Sequence, residues 1–166
     1  LAFSIVATAM WDYGDIIVSD SSNSKLRRIS MQTGVVSSIL GSGLTAAASV
    51  GTADGFAYKN GALVGTGPAG FVNSPNGVTL DPAGGLYIAD RANCRIRYLN
   101  TSGWLSTVAG PVGGAVCTLG TAPGSNWADG PATSALFSWP YGVALDGLGN
   151  LIISDRNGGN PGTGGN

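Results

Sequence analysis

The sequence predicts an all-β fold built from repeats of one four-stranded antiparallel meander. Two observations carry that expectation. Residues 71–110 read FVNSPNGVTLDPAGGLYIADRANCRIRYLNTSGWLSTVAG, four short apolar runs each closed by a turn signal. Runs of about five residues rich in Val, Ile, Leu, Tyr and Trp, separated by Gly, Pro, Asn and Asp, are strands joined by tight hairpins. The same pattern then recurs along the chain, with Asp20 and Asp155 each falling on Asp90 when the sequence is slid along itself.

The first unit, residues 1–41, contains DYGDIIVSDSSNSKLRRISMQTGVVSSILG, which places Asn23 on Asn93, Lys25 on Arg95, Leu26 on Ile96 and Arg27 on Arg97. Before it, FSIVATAM keeps the apolar character of a first strand but lacks the Pro-x-Gly entry of the second unit. Residues 42–70 form a connector of Gly, Ala, Thr, Ser and Pro that reads as loop, followed by the complete second unit, residues 71–110. A second connector, residues 111–136, echoes the first through Ala53-Asp54-Gly55 and Ala128-Asp129-Gly130. Within it, Pro131 followed by ATSALF is expected to start a single helical turn. Residues 137–155 carry PYGVALDGLGNLIISD, aligning Gly142 with Gly77, Val143 with Val78, Asp146 with Asp81 and Leu151 with Leu86. That third unit stops after its second strand. Residues 156–166 form a tail that reads as disordered or merely extended.

Composition narrows the function classes. Of 166 residues only 10% are charged, against about 25% in an average soluble protein. Eight basic and nine acidic side chains leave a net charge of -1, which supports neither a nucleic-acid field nor an acidic tail. With 28 Gly and a positive mean hydropathy the chain is neutral without being disordered. A surface kept soluble by hydroxyls is poorly protected against association, which suits one covered by partners or glycan; a Gly-rich β protein explains it equally well. No apolar run is long enough for a transmembrane helix, so direct membrane insertion is not expected. The sequence opens inside an apolar run, without an initiator Met or signal-peptide pattern, as a mature or excised piece of a longer protein would.

Aligned in this way, the chain resembles NHL repeats, which are β-propeller blades. Pro140-Tyr141-Gly142-Val143-Ala144-Leu145-Asp146 and Gly149-Asn150-Leu151-Ile152-Ile153-Ser154-Asp155 carry the resemblance, with Leu86-Tyr87-Ile88-Ala89-Asp90 and Asn93-Cys94-Arg95-Ile96. It covers about two-thirds of the chain. The resemblance implies NHL-type propeller blades, two full and one partial, joined by the long connectors of the extracellular variety. A propeller closes with about four to eight blades. Two and a half blades therefore imply either a fragment or open edges that pair with other chains, and an isolated chain is expected to associate or aggregate.

Cys94 lies in a second-to-third-strand turn and Cys117 in the connector after that blade, on the same face of the meander. A disulfide between them is geometrically allowed, and two free thiols are the equal alternative. If formed, it closes a loop of about two dozen residues and stabilises the blade by about 3 kcal/mol. Asn100-Thr101-Ser102 is an N-glycosylation sequon in a turn on the opposite face. Lys25, Arg27, Arg95 and Arg97 alternate along third strands and form a basic stripe of the kind RNA-binding NHL domains use. In a blade covered on both faces, however, they are expected to pair with Asp20, Asp90 or carbonyls, so no nucleic-acid partner is expected. Asp12, Asp15, Asp81 and Asp146 fall at hairpin turns, where Asp hydrogen-bonds its own backbone. The chain also resembles, in its strands, the amidating lyase of peptide-hormone maturation, whose zinc chemistry depends on histidines. This chain has no His and no Cys-x-x-Cys or carboxylate cluster, so neither a metal site nor a Ser-His-Asp or Cys-His centre is expected, and no cofactor.

Three functions fit. The first is a non-catalytic structural or protein-interaction module of a secreted or cell-surface assembly, such as a subunit of a flagellar hair. Its partners would be other protein chains or further blades of the same parent chain, on a glycan-coated surface. The second is a ligand- or partner-binding propeller domain of a receptor or sensor. The third is a propeller lyase or lactonase, with catalytic residues outside this stretch.

Overall fold

A computed structural model of the chain describes residues 10–11, 14–41, 53–59, 62–111 and 127–156. The described residues are all-β. In the first blade, β1 (Met10–Trp11), β2 (Asp15–Asp20), β3 (Lys25–Ile29) and β4 (Val36–Leu40) form an antiparallel meander in sheet order β1-β2-β3-β4. Most of FSIVATAM and Asp12 lie outside the described residues. The connector supplies three two-residue strands, β5 (Gly55–Phe56), β6 (Tyr58–Lys59) and β7 (Ala62–Leu63). The second blade comprises β8 (Pro75–Leu80), β9 (Leu86–Asp90), β10 (Arg95–Leu99) and β11 (Trp104–Ala109), and the third contains β12 (Pro140–Leu145) and β13 (Leu151–Asp155).

The repeat extends to fine geometry. Both complete third strands follow a 3-10 turn, Ser21–Asn23 or Arg91–Asn93, closed by a residue at φ 52, Ser24 or Cys94. Each then carries an irregular step in its pairing to the fourth strand, between Leu26 and Arg27 or between Ile96 and Arg97.

The first connector is not simply a loop, as its composition had suggested. β5 joins the second sheet as a fifth strand, pairing Gly55 with Leu105 and Phe56 with Trp104 in the order β5-β11-β10-β9-β8. Two contacts invisible to composition hold it there. Phe56 stacks edge-on against Trp104 at 5.0 Å, and Gly55 lies so close to the Pro68–Ala69 backbone that any Cβ there would collide. In the second connector Pro131 does start one turn, its carbonyl accepting from Ser134 and Ala135 N–H, both at 2.8 Å.

Because side chains alternate across a sheet, the second blade feeds two cores. Leu86, Ile88, Leu99 and Leu105 pack with Ile17, Leu26 and Leu40 of the first blade, whereas Ala89 and Ile96 pack with Val143, Phe137 and Ile153 of the third. Among the described residues only one face of the third blade is covered, which leaves Ile152 59% exposed.

Candidate functional site

Cross-strand pairing of Arg95 with Asp90 and of Arg97 with Ile88 puts Asp90, Arg95 and Arg97 on one face of the second blade. That face is buried, and so are all three side chains. Arg97 is the hub. Its Nη1 donates to the Phe71 carbonyl at 3.0 Å and to Asp90 Oδ2 at 3.2 Å; its Nη2 donates to the Ala53 carbonyl and to Asp54 Oδ1, both at 2.8 Å. Asp90 also accepts from Asn73 N–H at 2.7 Å and from Asn93 Nδ2 at 2.8 Å. A buried ion pair is tolerated best when its remaining donors and acceptors are satisfied; here two carboxylates and two carbonyls take the two Nη groups, while the buried Nε is left without a partner. The result is a clamp. Through it, the Ala53-Asp54-Gly55 connector is fastened to the blade that follows.

Burial nonetheless raises the Asp90 carboxyl to about 6, against the opposing pull of Arg97 and of the Asn73 and Asn93 donors. The folded chain then binds this proton more tightly than the unfolded chain, whose Asp titrates near ~3.9. Asp90's contribution is complete below about pH 4 and is lost as pH rises through about 6. Asp15, lowered first by its bond from Met31 N–H, and Asp146, lowered first by Asn150, act oppositely: their contribution is present above the ordinary Asp value and fades as pH falls. Urea unfolding followed by tryptophan fluorescence should therefore give a midpoint that declines between about pH 4.5 and 7. Asp90→Asn should flatten that decline, and an equal slope in the variant would refute the assignment.

The first blade has a looser version of the clamp. Arg27 Nη1 stands 3.5 Å from Asp20 Oδ2, and the Arg27 side chain is 32% exposed. Arg95 Nε donates to the Asn93 carbonyl at 3.2 Å. Since Arg95 and Arg97 are 1% and 0% exposed, neither can present its charge to a phosphate backbone.

Asp81 and Asp146 accept from backbone N–H groups of their own turns, those of Ala83 for the first and of Leu148 and Asn150 for the second. Asp81 also accepts from Tyr98 Oη at 2.5 Å, a bond that pushes the phenol up to about 12. Asp15 departs from the turn expectation. It begins β2, is buried, and pairs with Arg28 and Met31 N–H across the sheet. Asn100 is half-buried, its Oδ1 accepting from Trp104 N–H at 2.8 Å. Cys94 is disulfide-bonded, and its Sγ, with no proton to donate, touches the Ser138 carbonyl at 2.8 Å. Cys117, the chain's other cysteine, lies outside the described residues. Among the described residues no group of three or more His, Cys, Asp or Glu is placed to hold a metal, and no helix is long and apolar enough to cross a membrane.

Sequence reasoning missed Asp54 and the Ala53 carbonyl as parts of the clamp. The Ala-Asp-Gly echo between the connectors was the available signal.

This geometry defines a run of propeller blades, and comparison with known proteins agrees. Residues 72–97 match the NHL repeat, so the second blade is an NHL blade. The chain is similar to the chloroplastic protein SUPPRESSOR OF QUENCHING 1 of Arabidopsis thaliana, at 28% identity over 146 residues, 88% of this chain and 12% of that protein. Among solved structures it resembles a Bacteroides thetaiotaomicron protein of unknown function, with TM-score 0.65 and 26% identity over 88% of this chain and 31% of that one. It also resembles an auxiliary nutrient binding protein of Bacteroides ovatus, with TM-score 0.58 and 21% identity over 87% of this chain and 33% of that one, a likeness of fold alone. The chain thus spans about a third or less of each relative's length.

Proposed function

We propose that this chain is a non-catalytic propeller module whose open blades join further protein segments in a secreted or cell-surface assembly, of which a filament is one form. The exposed side of the third blade carries this reading. Ile152 is 59% and Leu148 89% exposed, while Tyr87, at the position equivalent to Ile152, packs into the core between the second and third blades. On the first blade Met31 and Val35 are each 59% exposed. Apolar side chains on two-stranded or edge-open sheets bind neighbours readily. The oxidised state of Cys94 supports an extracellular location.

Sedimentation velocity across a hundredfold concentration range should show reversible association or aggregation. A compact monomer with a cooperative melt at every concentration would overturn the proposal. Intact-mass analysis of native material, before and after reduction and glycosidase treatment, tests the compartment. A Cys94–Cys117 bond, with glycan on Asn100 in a eukaryotic source, is the expected result. Two free thiols with an unmodified Asn100 would favour an intracellular scaffold.

The likeness to an auxiliary nutrient binding protein favours a second reading, a ligand-binding propeller domain of a receptor or sensor. The cleft between the first two blades, lined by Arg28, Lys59, Leu99 and Asn100, is where such a ligand would sit.

A further inference from the structure

The cleft between the first two blades combines an apolar floor with a ring of hydrogen-bond donors. Its volume is about 230 Å³, below the range of about 300–1,000 Å³ that takes drug-sized ligands. Three parts of the chain wall it: the first blade through Arg28 and Ile39, the connector through Ala57 and Lys59, and the turn between β10 and β11. Backbone bonds fix these walls to one another. Ala57 N–H donates to the Gly103 carbonyl of that turn at 2.8 Å, and Val64 N–H donates to the Ala57 carbonyl at 3.1 Å.

Ile39, Ala57 and Leu99 are buried and supply the floor. No carboxylate lines the cleft. Arg28 is held by the buried Asp15, whose Oδ2 accepts from both Nε and Nη2, and Nη1 has no partner among the described residues. A guanidinium fixed in this way keeps one edge ready for a second acceptor at little cost in side-chain freedom. Lys59 is exposed and has no ion-pair partner among the described residues. The Oδ1 of Asn100 is taken by Trp104 N–H, which leaves its Nδ2 as a further donor, and Thr101 and Ser102 add hydroxyls. Because Asp15 offsets the charge of Arg28, Lys59 is the uncompensated charge of the cleft.

Resting on the second reading above, that of a ligand-binding domain, we propose that this cleft binds a small organic monoanion, a carboxylate with a compact apolar body. The body covers Ile39, Ala57 and Leu99, and the carboxylate accepts from Arg28 and Lys59. One uncompensated cation matches one negative charge, which favours a carboxylate over a phosphate dianion. The charge-assisted bonds fix the orientation of the ligand, and burial of its body adds affinity. Asn100 lines the same cleft, so a glycan on it would compete with the ligand.

The probe is phenylacetate, titrated against the whole chain made in a bacterial host, which adds no glycan, and followed by ligand-observed NMR. Saturable binding is expected. Phenylacetamide, its neutral analogue of the same shape, and acetate, its head without the body, should each bind at least about tenfold more weakly. Lys59→Gln should weaken phenylacetate about five- to tenfold and leave phenylacetamide unchanged, whereas Lys59→Arg should retain binding. Lys59 is exposed, so these substitutions leave the fold in place. Arg28→Lys keeps a cation beside Asp15 but loses the fork, and should weaken phenylacetate by a similar factor. Equal affinity for the acid and the amide, or phenylacetate binding indifferent to both Lys59→Gln and Arg28→Lys, overturns the anion site and leaves the ligand-binding reading standing. No saturable binding of any of the three probes, by a chain whose β3 and β10 amides are protected from exchange, overturns the site and removes the cleft from that reading as well.

Discussion

Replacing Arg97 by methionine is expected to speed amide exchange throughout β8 to β11 by about two to four orders of magnitude, equivalent to about 3–5 kcal/mol for breaking a buried pair from one side. The loss comes mainly from what is left behind. Asp90 would stay fully buried with its cation gone, and the Ala53 and Phe71 carbonyls would each lose a donor. Arg97→Lys should recover only part of this, because one ammonium cannot span the acceptors that two guanidinium nitrogens reach. Exchange in β5 should rise with that in β10, since Asp54 and Ala53 hold the connector to Arg97. Hydrogen-exchange mass spectrometry suits an associating chain, because protection is read peptide by peptide. A loss below about 1 kcal/mol would mean that the clamp contributes little beyond packing.

The strands were legible because their signal is local. The alternation in LYIAD and RIRYL and the turn residues between them act within a few positions, and those runs are β9 and β10. The pairing of the third-strand arginines was also foreseeable, since a blade covered on both faces leaves a buried guanidinium nothing else to do. The connector was harder to read. Gly55-Phe56 has no strand periodicity at two residues, and its place depends on Trp104 and on Pro68, both distant in sequence. Asp15 was misread for a related reason. Its proximity to Gly14 suggests a turn, but Arg28, thirteen residues on, draws the carboxylate into the sheet. Likewise, no window around Asp54 reveals that its partner is Arg97, because that contact exists only once the connector has folded onto the second sheet.

Gly77→Ala should detach the third blade while sparing the second, although it changes a single hydrogen to a methyl. Gly77 lies in β8 where that strand meets β12, and a Cβ there would stand 2.7 Å from the Tyr141 carbonyl oxygen and 2.8 Å from both Gly142 Cα and Val143 N. These are backbone atoms, so no rotamer change can relieve the clash and β12 itself must move. The expected cost is at the upper end of about 1–3 kcal/mol for overpacking. It should appear as faster exchange in residues 140–155, where Val143 and Ile153 lose their packing against Ala89 and Ile96. Gly142 occupies the same place in the repeat and provides the control. A Cβ on Gly142 would meet the Ser154 hydroxyl at 2.9 Å, a side-chain group that can turn aside on an exposed strand at the loss of its bond from Gly142 N–H, so Gly142→Ala should cost less than Gly77→Ala. Equal effects at the two glycines would show that the Pro-x-Gly entry is needed for the conformation of its own strand. A large effect at Gly77 alone would show that it is needed for the approach of the next blade.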